Sequence, residues 1–197
     1  MPHDERHGAR QPRRFDPARM AKLDDIARLG WVQPEEVARL LDTPRDGVIV
    51  DFGAGTGMYS AEMARRRPDV RVLALDEQPE MLARIATRIS EERLENLEAI
   101  DPGALPALQG TVDRILALNV LHELGDDALA ALVTLMRPGG AALVIDWNAA
   151  VERPAGPPND HVYDPAEAEE RLARFGSVAS ADGAFPYHHA FLVRPRE

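Results

Sequence analysis

The chain has 197 residues, 33 acidic against 23 basic, a formal net charge of −10 and 45% hydrophobic residues. Such a length and balance suit one domain with an ordinary core, and the acidity argues against a protein whose main task is gripping a phosphate backbone. Cysteine is absent, which excludes disulfides, zinc–thiolate sites and cysteine nucleophiles, and no apolar stretch approaches the ~20 residues that span a bilayer.

In chain order, residues 1–16 read as a loose, polar arm. Only the first 22 residues lean basic, with Arg6, Arg10, Arg13, Arg14, Arg19 and Lys22 against Asp4, Glu5 and Asp16. A solvated tail is expected there. Met1 to Arg14 has no apolar core, so a secretory signal is not expected and a cytoplasmic location is the simplest reading. Met20, Leu23, Ile26 and Ala27 recur at helical spacing. Pro34 suits the first turn of a second helix with Val37, Leu40 and Leu41 on its apolar face, and Asp42-Thr43-Pro44 stops it.

From Val48 the chain alternates. The pattern predicts strand 48–52, helix 57–67, strand 70–75, a helix from Pro79 to about Ser90, strand 97–100 and strand 112–118. Asp126 is expected to cap a helix with Leu129, Leu132, Val133 and Met136 on one face. Arg137-Pro138-Gly139-Gly140 should break that helix before a strand at 141–145. A proline-rich loop over 149–163 follows, of a length that is often functional. Asp164-Pro165 starts a helix ending at Phe175-Gly176. Two strands near 177–182 and 187–193 can pair as an antiparallel hairpin. This alternation predicts an α/β, doubly wound, Rossmann-like fold.

Ligands of open α/β sheets bind beyond the carboxyl ends of the strands. Strand one runs Val48-Ile49-Val50 into Asp51, then Gly53, Gly55 and Gly57. These glycines tolerate positive φ and close approach to backbone, and the following helix offers unpaired N–H groups. The dinucleotide fingerprint is G-x-G-x-x-G; here the third glycine comes one residue early. A pyrophosphate would be repelled by Asp51, whereas an ammonium group can face it. This favours a ligand with an amino-acid headgroup, S-adenosylmethionine, over NAD. Asp76, 19 residues past Gly57, can accept hydrogen bonds from ribose hydroxyls.

On Val50-Asp51-Phe52-Gly53-Ala54-Gly55-Thr56-Gly57, Leu75-Asp76-Glu77-Gln78-Pro79, Asp101 with Leu105-Pro106, Asn119-Val120-Leu121-His122 and Leu135-Met136-Arg137-Pro138-Gly139-Gly140, the chain resembles the class I S-adenosylmethionine-dependent methyltransferases, over nearly all of residues 32–193. Within that class it looks most like the small ubiquinone/menaquinone-biosynthesis type. The resemblance implies a three-layer sandwich around a seven-stranded, mostly parallel sheet with an antiparallel last strand. It implies a methyltransferase domain over 31–197, preceded by an arm over 1–30 that can serve as a lid.

Carried over, Asp51, Gly53, Ala54, Gly55 and Asn119 would hold the methionine end, Asp76 and Glu77 the ribose, and Asp101 the adenine amino group. Residue 102 is proline and lacks the N–H often used beside that acid, so Gly103 would have to supply it or the bond is lost. His122 is the candidate general base, with Glu123 a lesser option. His161, His188 and His189 show no short metal-ligand spacing, and no metal is expected. Trp147, Tyr163, Phe15 and Tyr187 are candidates to line an acceptor pocket. The Asn/Asp-Pro-Pro-aromatic motif of amino-methylating DNA enzymes is missing after strand four. The expected activity is therefore in-line methyl transfer to a small-molecule acceptor, without nucleic acid or membrane as partner. Self-association as a homodimer stays open. So do a non-catalytic S-adenosylmethionine-binding or regulatory protein and a NAD-dependent oxidoreductase.

Overall fold

The computed structural model describes residues 15–181 and 183–196. Expectations placed on the arm 1–14 and on Asp182 therefore fall outside the described residues. Five strands, β1 (Val48–Phe52), β2 (Arg71–Leu75), β3 (Leu97–Ile100), β4 (Val112–Leu118) and β5 (Met136–Trp147), run parallel, and β6 (Ser177–Ser180) and β7 (His188–Arg194) close the chain. Their spatial order is β3-β2-β1-β4-β5-β7-β6, with β7 antiparallel to both neighbours. The order reverses between β1 and β4, which opens a crevice at their carboxyl ends.

Strand alternation sends neighbouring side chains to opposite layers. On β1, Ile49 packs with Val37 and Leu41 of α2 (Pro34–Leu41), Met63 of α3 (Met58–Arg66) and Ile85 of α4 (Pro79–Glu92). Its neighbour Val50 packs on the other face with Leu129 and Leu132 of α6 (Asp126–Leu135) and Leu172 of α7 (Pro165–Ala173). Burying each such side chain contributes about 1.5–3 kcal/mol, so this two-faced core stabilises the frame. Two further helices, α1 (Ala27–Trp31) and α5 (Leu105–Leu108), are short. Among the described residues no helix is long and apolar enough to cross a membrane.

Beyond shifts of one to three residues at several element ends, three departures from the sequence pattern have a physical cause. The apolar spacing over Met20–Ala27 does not make one helix. A 3-10 turn over Pro17–Lys22 precedes α1, and Ile26 is 77% exposed. Here a tertiary contact and a local turn outweigh the period: Asp24 pairs with Arg84 and Arg88 of α4, and the Asp25 side chain accepts from Ala27 N, two residues on, at 2.9 Å. Gly125, not Asp126, occupies the N-cap of α6, and Asp126 lies in its first turn, where its charge still suits the helix dipole. Met136 belongs to β5, not to α6: it pairs with Val112, and the register then shifts so that Ala141 pairs with Arg114. The stretch Arg137-Pro138-Gly139-Gly140 is thus a bulge within a longer strand. Gly139 has φ +78°, and a Cβ on Gly140 would stand 2.9 Å from Arg137 O.

Candidate functional site

The glycine turn after β1 is pinned to the end of β2. Leu75 O accepts from both Gly53 N and Ala54 N at 2.9 Å, and Asp76 Oδ2 accepts from Gly55 N at 2.8 Å. Gly53, Gly55 and Gly57 all take left-handed φ, at 75°, 56° and 72°. A Cβ on Gly53 would stand 2.8 Å from Val120 and one on Gly57 2.9 Å from Ile85, so the turn keeps its shape only without side chains.

Above this turn lies a cavity of about 460 Å³. Its wall includes Asp51, Gly53, Ala54, Gly55, Asp76, Glu77 and Asn119. The structure therefore brings seven of the eight expected ligand-holding residues together. Asp101 is not among them. It is exposed, and its Oδ1 accepts from Gly103 N at 2.7 Å, which also occupies the N–H that Gly103 was expected to lend. Neighbouring Pro102 and Leu105 do reach the wall.

Asp51 is 3% exposed. Burial pushes its carboxyl up to about 6, against the opposing hydrogen bond from Ser60 Oγ at 2.5 Å and the nearby Arg28. Arg28, on α1, reaches the same cavity and was not signalled by any motif. Its guanidinium donates to Leu23 O at 2.5 Å and stands 5.7 Å from the Tyr59 ring centre. Asn119 sits in a left-handed conformation with φ 59°, and its Oδ1 is buried with no hydrogen-bond partner among the described residues, as is Thr56 Oγ1. A buried unsatisfied acceptor is costly. A ligand carrying an ammonium group would satisfy Asn119 and charge-pair with Asp51, while its carboxylate would suit Arg28.

Beside it, His122 Nδ1 lies 2.9 Å from both carboxylate oxygens of Asp146, and His122 N donates to Asp146 Oδ2 at 2.9 Å. Burial works against a charge on the imidazole, yet the charge and hydrogen bond of Asp146, joined by Glu123, outweigh it and raise the His122 pKa. Burial likewise disfavours an ionised Asp146, and His122 overrides it and holds that carboxyl below its usual range. His122 Nε2 is 3.6 Å from Glu123 Oε1, and burial lifts Glu123 to about 7. Asp146 is the last but one residue of β5, so an acid near a strand end was visible in the sequence, but its pairing with His122 was not. Arg171 of α7 donates to Leu121 O at 3.1 Å and to Leu124 O. It thereby holds the turn that presents His122 and Glu123.

The other aromatic and histidine candidates separate. Phe15 reaches both the cavity and its neighbour, Trp147 reaches only the neighbour, and Tyr163 packs under Arg171. Tyr187 contacts Trp31 edge-on. His188 stacks on Trp147 with ring centres 4.2 Å apart, and burial depresses it to about 3. Among the described residues no group of three His, Asp or Glu side chains is spaced to hold a metal ion.

The family model described as a methyltransferase domain matches residues 49–140. The trans-aconitate 2-methyltransferase of Deinococcus radiodurans is 33% identical over 146 residues, covering 70% of this chain and 51% of that protein. The ubiquinone biosynthesis O-methyltransferase of Acinetobacter baylyi is 28% identical, covering 64% of this chain and 60% of its own. The chain thus spans about half to three fifths of these relatives' lengths. A SAM dependent methyltransferase from Aquifex aeolicus superposes with a TM-score of 0.80 at 27% identity, covering 91% of this chain and all of that one.

Proposed function

Because the chain belongs to the S-adenosylmethionine-dependent methyltransferase family, we propose that it transfers a methyl group from S-adenosylmethionine to a small-molecule acceptor, with His122 as general base. The observation that carries the cofactor assignment is that one cavity wall holds both the buried Asp51 carboxyl and Asn119 Oδ1, which is buried without a hydrogen-bond partner among the described residues. Both want a cationic donor. When bound, S-adenosylmethionine supplies a methyl group already activated by its sulfonium.

This chain's own residues do the rest. Asp51 and Asn119 receive the ammonium end and Arg28 the carboxylate. The backbone of Gly53, Ala54 and Gly55 lets the ligand approach. Asp76, whose two oxygens already accept from Gly55 N and Gln78 N, has lone pairs left for ribose hydroxyls, and Glu77 stands at the same edge. For Asp101 the adenine role would fall to its second oxygen. Asp146 holds His122 with Nδ1 protonated, which leaves Nε2 to take a proton from the acceptor. The pyrophosphate of NAD would meet Asp51, which supports the methyl donor over the nicotinamide.

Residues 15–30 are proposed as the described part of a lid. Phe15 N donates to Glu123 Oε2 at 3.2 Å and Phe15 O accepts from Gln78 Nε2 at 3.3 Å, so one residue is tied to both sides of the cavity mouth. Leu23 comes within 3.1 Å of where a Cβ on Gly55 would sit. The deciding experiment is calorimetry with S-adenosylhomocysteine and with NAD, followed by release of label from methyl-labelled donor with an acceptor panel. Binding of S-adenosylhomocysteine alone is expected, with turnover that falls in His122→Ala at unchanged cofactor affinity. Binding of NAD alone would overturn the reading, and binding without any turnover would leave a non-catalytic binding protein.

A further inference from the structure

A second cavity, of about 1090 Å³, adjoins the first and shares Phe15, Leu23, Arg28, Asn119 and Glu123 with it. Its remaining walls come from the 15–31 segment, the 154–161 loop, His122 and Trp147. We propose that it is the acceptor chamber, and that it takes a neutral, planar aromatic compound carrying a weakly acidic hydroxyl rather than a carboxylic acid. This rests on the methyltransferase reading above and narrows its substrate class.

Three observations carry the choice. First, three aromatic rings stand in the wall: Phe15, Trp31 and Trp147 line the chamber beside Leu23 and the prolines of the 154–161 loop, and the two indoles meet edge-on with ring centres 5.9 Å apart. Trp147 is held in place from behind, since His188 stacks on it at 4.2 Å, the Arg153 guanidinium stands 5.6 Å from its ring centre, and a Cβ on Gly156 would come within 2.9 Å of it. A fixed aromatic edge favours a flat, rigid ligand.

Second, charge at the chamber is mixed. Arg19, Lys22 and Arg28 stand among Asp16, Asp25, Asp160 and Glu123, so among the described residues the cations of the wall are matched by acids rather than gathered for a polycarboxylate. Third, His122 stands between two carboxyl groups, 2.9 Å from Asp146 and 3.6 Å from Glu123. An acceptor carboxylate brought to Nε2 would be pushed away by Asp146, and by Glu123 once that carboxyl ionises above about 7, and at neutral pH it has no proton to give up. A hydroxyl on an aromatic ring does have one. As its oxygen takes the methyl group, a C–O bond forms and the donor's C–S bond breaks, the cationic sulfur becoming a neutral thioether. The hydroxyl proton goes to His122 Nε2 and then to solvent.

Trp31 and Trp147 are the chain's two tryptophans, and both line this chamber, so intrinsic fluorescence reports on it directly. The test titrates protein saturated with S-adenosylhomocysteine with catechol, whose hydroxyls keep their protons at neutral pH, and, separately, with trans-aconitate, reading tryptophan emission and heat, after calorimetry has measured the cofactor product. The expected result is saturable binding of catechol with a change in emission, and no heat of binding with trans-aconitate. In Trp31→Ala the catechol affinity should fall at least tenfold with S-adenosylhomocysteine affinity unchanged, because Trp31 does not line the first cavity. Trp31→Phe should restore most of it, and Trp31→Leu replaces the alanine variant if that one does not fold. Tight S-adenosylhomocysteine binding without saturable catechol binding, or saturable binding of trans-aconitate, overturns this proposal and leaves the methyltransferase reading intact. Failure to bind S-adenosylhomocysteine overturns the reading itself.

Discussion

His122 and Asp146, 24 residues apart in sequence, meet through Nδ1 at 2.9 Å from both carboxylate oxygens. The contact exists because β4 and β5 are parallel neighbours, with Leu118 paired to Ile145, so the turn that follows β4 emerges beside Asp146, the next residue of β5. Replacing the acid keeps the shape and removes the charge. Asp146→Asn should lower the His122 pKa, visible by imidazole NMR titration, and reduce methyl transfer by about 10²-fold, within the range of general-base catalysis. Unchanged turnover with a lowered pKa would show that His122 is not the base.

Asp51 supplies a pH signature. Its carboxyl keeps its proton to about 6 in the folded protein, against 3.8 for the model carboxyl. Between those values the folded state binds more protons than the unfolded chain, so stability falls as pH rises through the window, by about 3 kcal/mol at full effect. Asp51→Asn should flatten that part of the profile in urea denaturation. Cofactor affinity runs the opposite way. An ammonium group needs the ionised acid, so S-adenosylhomocysteine should bind nearly tenfold more weakly at pH 5 than at pH 7, and Asp51→Asn should lose that slope in calorimetry.

Asp76 carries two tasks in one carboxylate. It pins Gly55 N at 2.8 Å and Gln78 N at 2.9 Å and is proposed to hold ribose. Asp76→Ala should weaken S-adenosylhomocysteine binding by about 1.5–3 kcal/mol, as for hydrogen bonds to a charged group. Calorimetry measures this, and unaltered affinity would remove the ribose assignment.

Two glycines make a controlled pair. Gly57 has φ 72° and its Cβ position lies 2.9 Å from Ile85, whereas Gly110 has φ 67° and open space. Both alanine variants bear the left-handed cost of about 1–2 kcal/mol. Gly57→Ala adds overpacking of about 1–3 kcal/mol. Chemical denaturation should therefore rank Gly57→Ala below Gly110→Ala by at least ~1 kcal/mol.

Arg171 ties α7 to the His122 turn through Leu121 O, Leu124 O and the Tyr163 hydroxyl. Arg171→Met leaves these acceptors without their charged donor and should lower the unfolding free energy by about 2–3 kcal/mol. Denaturant titration checks it.

Where tertiary forces agreed with local pattern, the sequence was a good guide. β1, β3 and β4 occur at the residues their β-branched and apolar runs predicted, and the antiparallel terminal pair followed from short spacing. The pattern misled where partners came from elsewhere. Asp24 left its helix for Arg84 and Arg88, and Met136 left α6 for a ladder with Val112. A period in sequence records only a chain's own side chains, so contacts with distant elements are invisible to it.

The same division holds for the site. The sequence by itself singled out the glycine turn, Asp51, Asp76, Asn119 and His122 as candidates, because each lies at or just past a strand's carboxyl end and a parallel sheet gathers those ends on one edge. Only the tertiary structure decided that Asp146 is the partner of His122, that Arg28 enters the first cavity, that Asp101 turns to cap Gly103, and that Trp31 and Trp147 form one wall. These depend on distances between elements far apart in the chain. Such distances follow from how helices and strands pack, and local propensity carries no record of them.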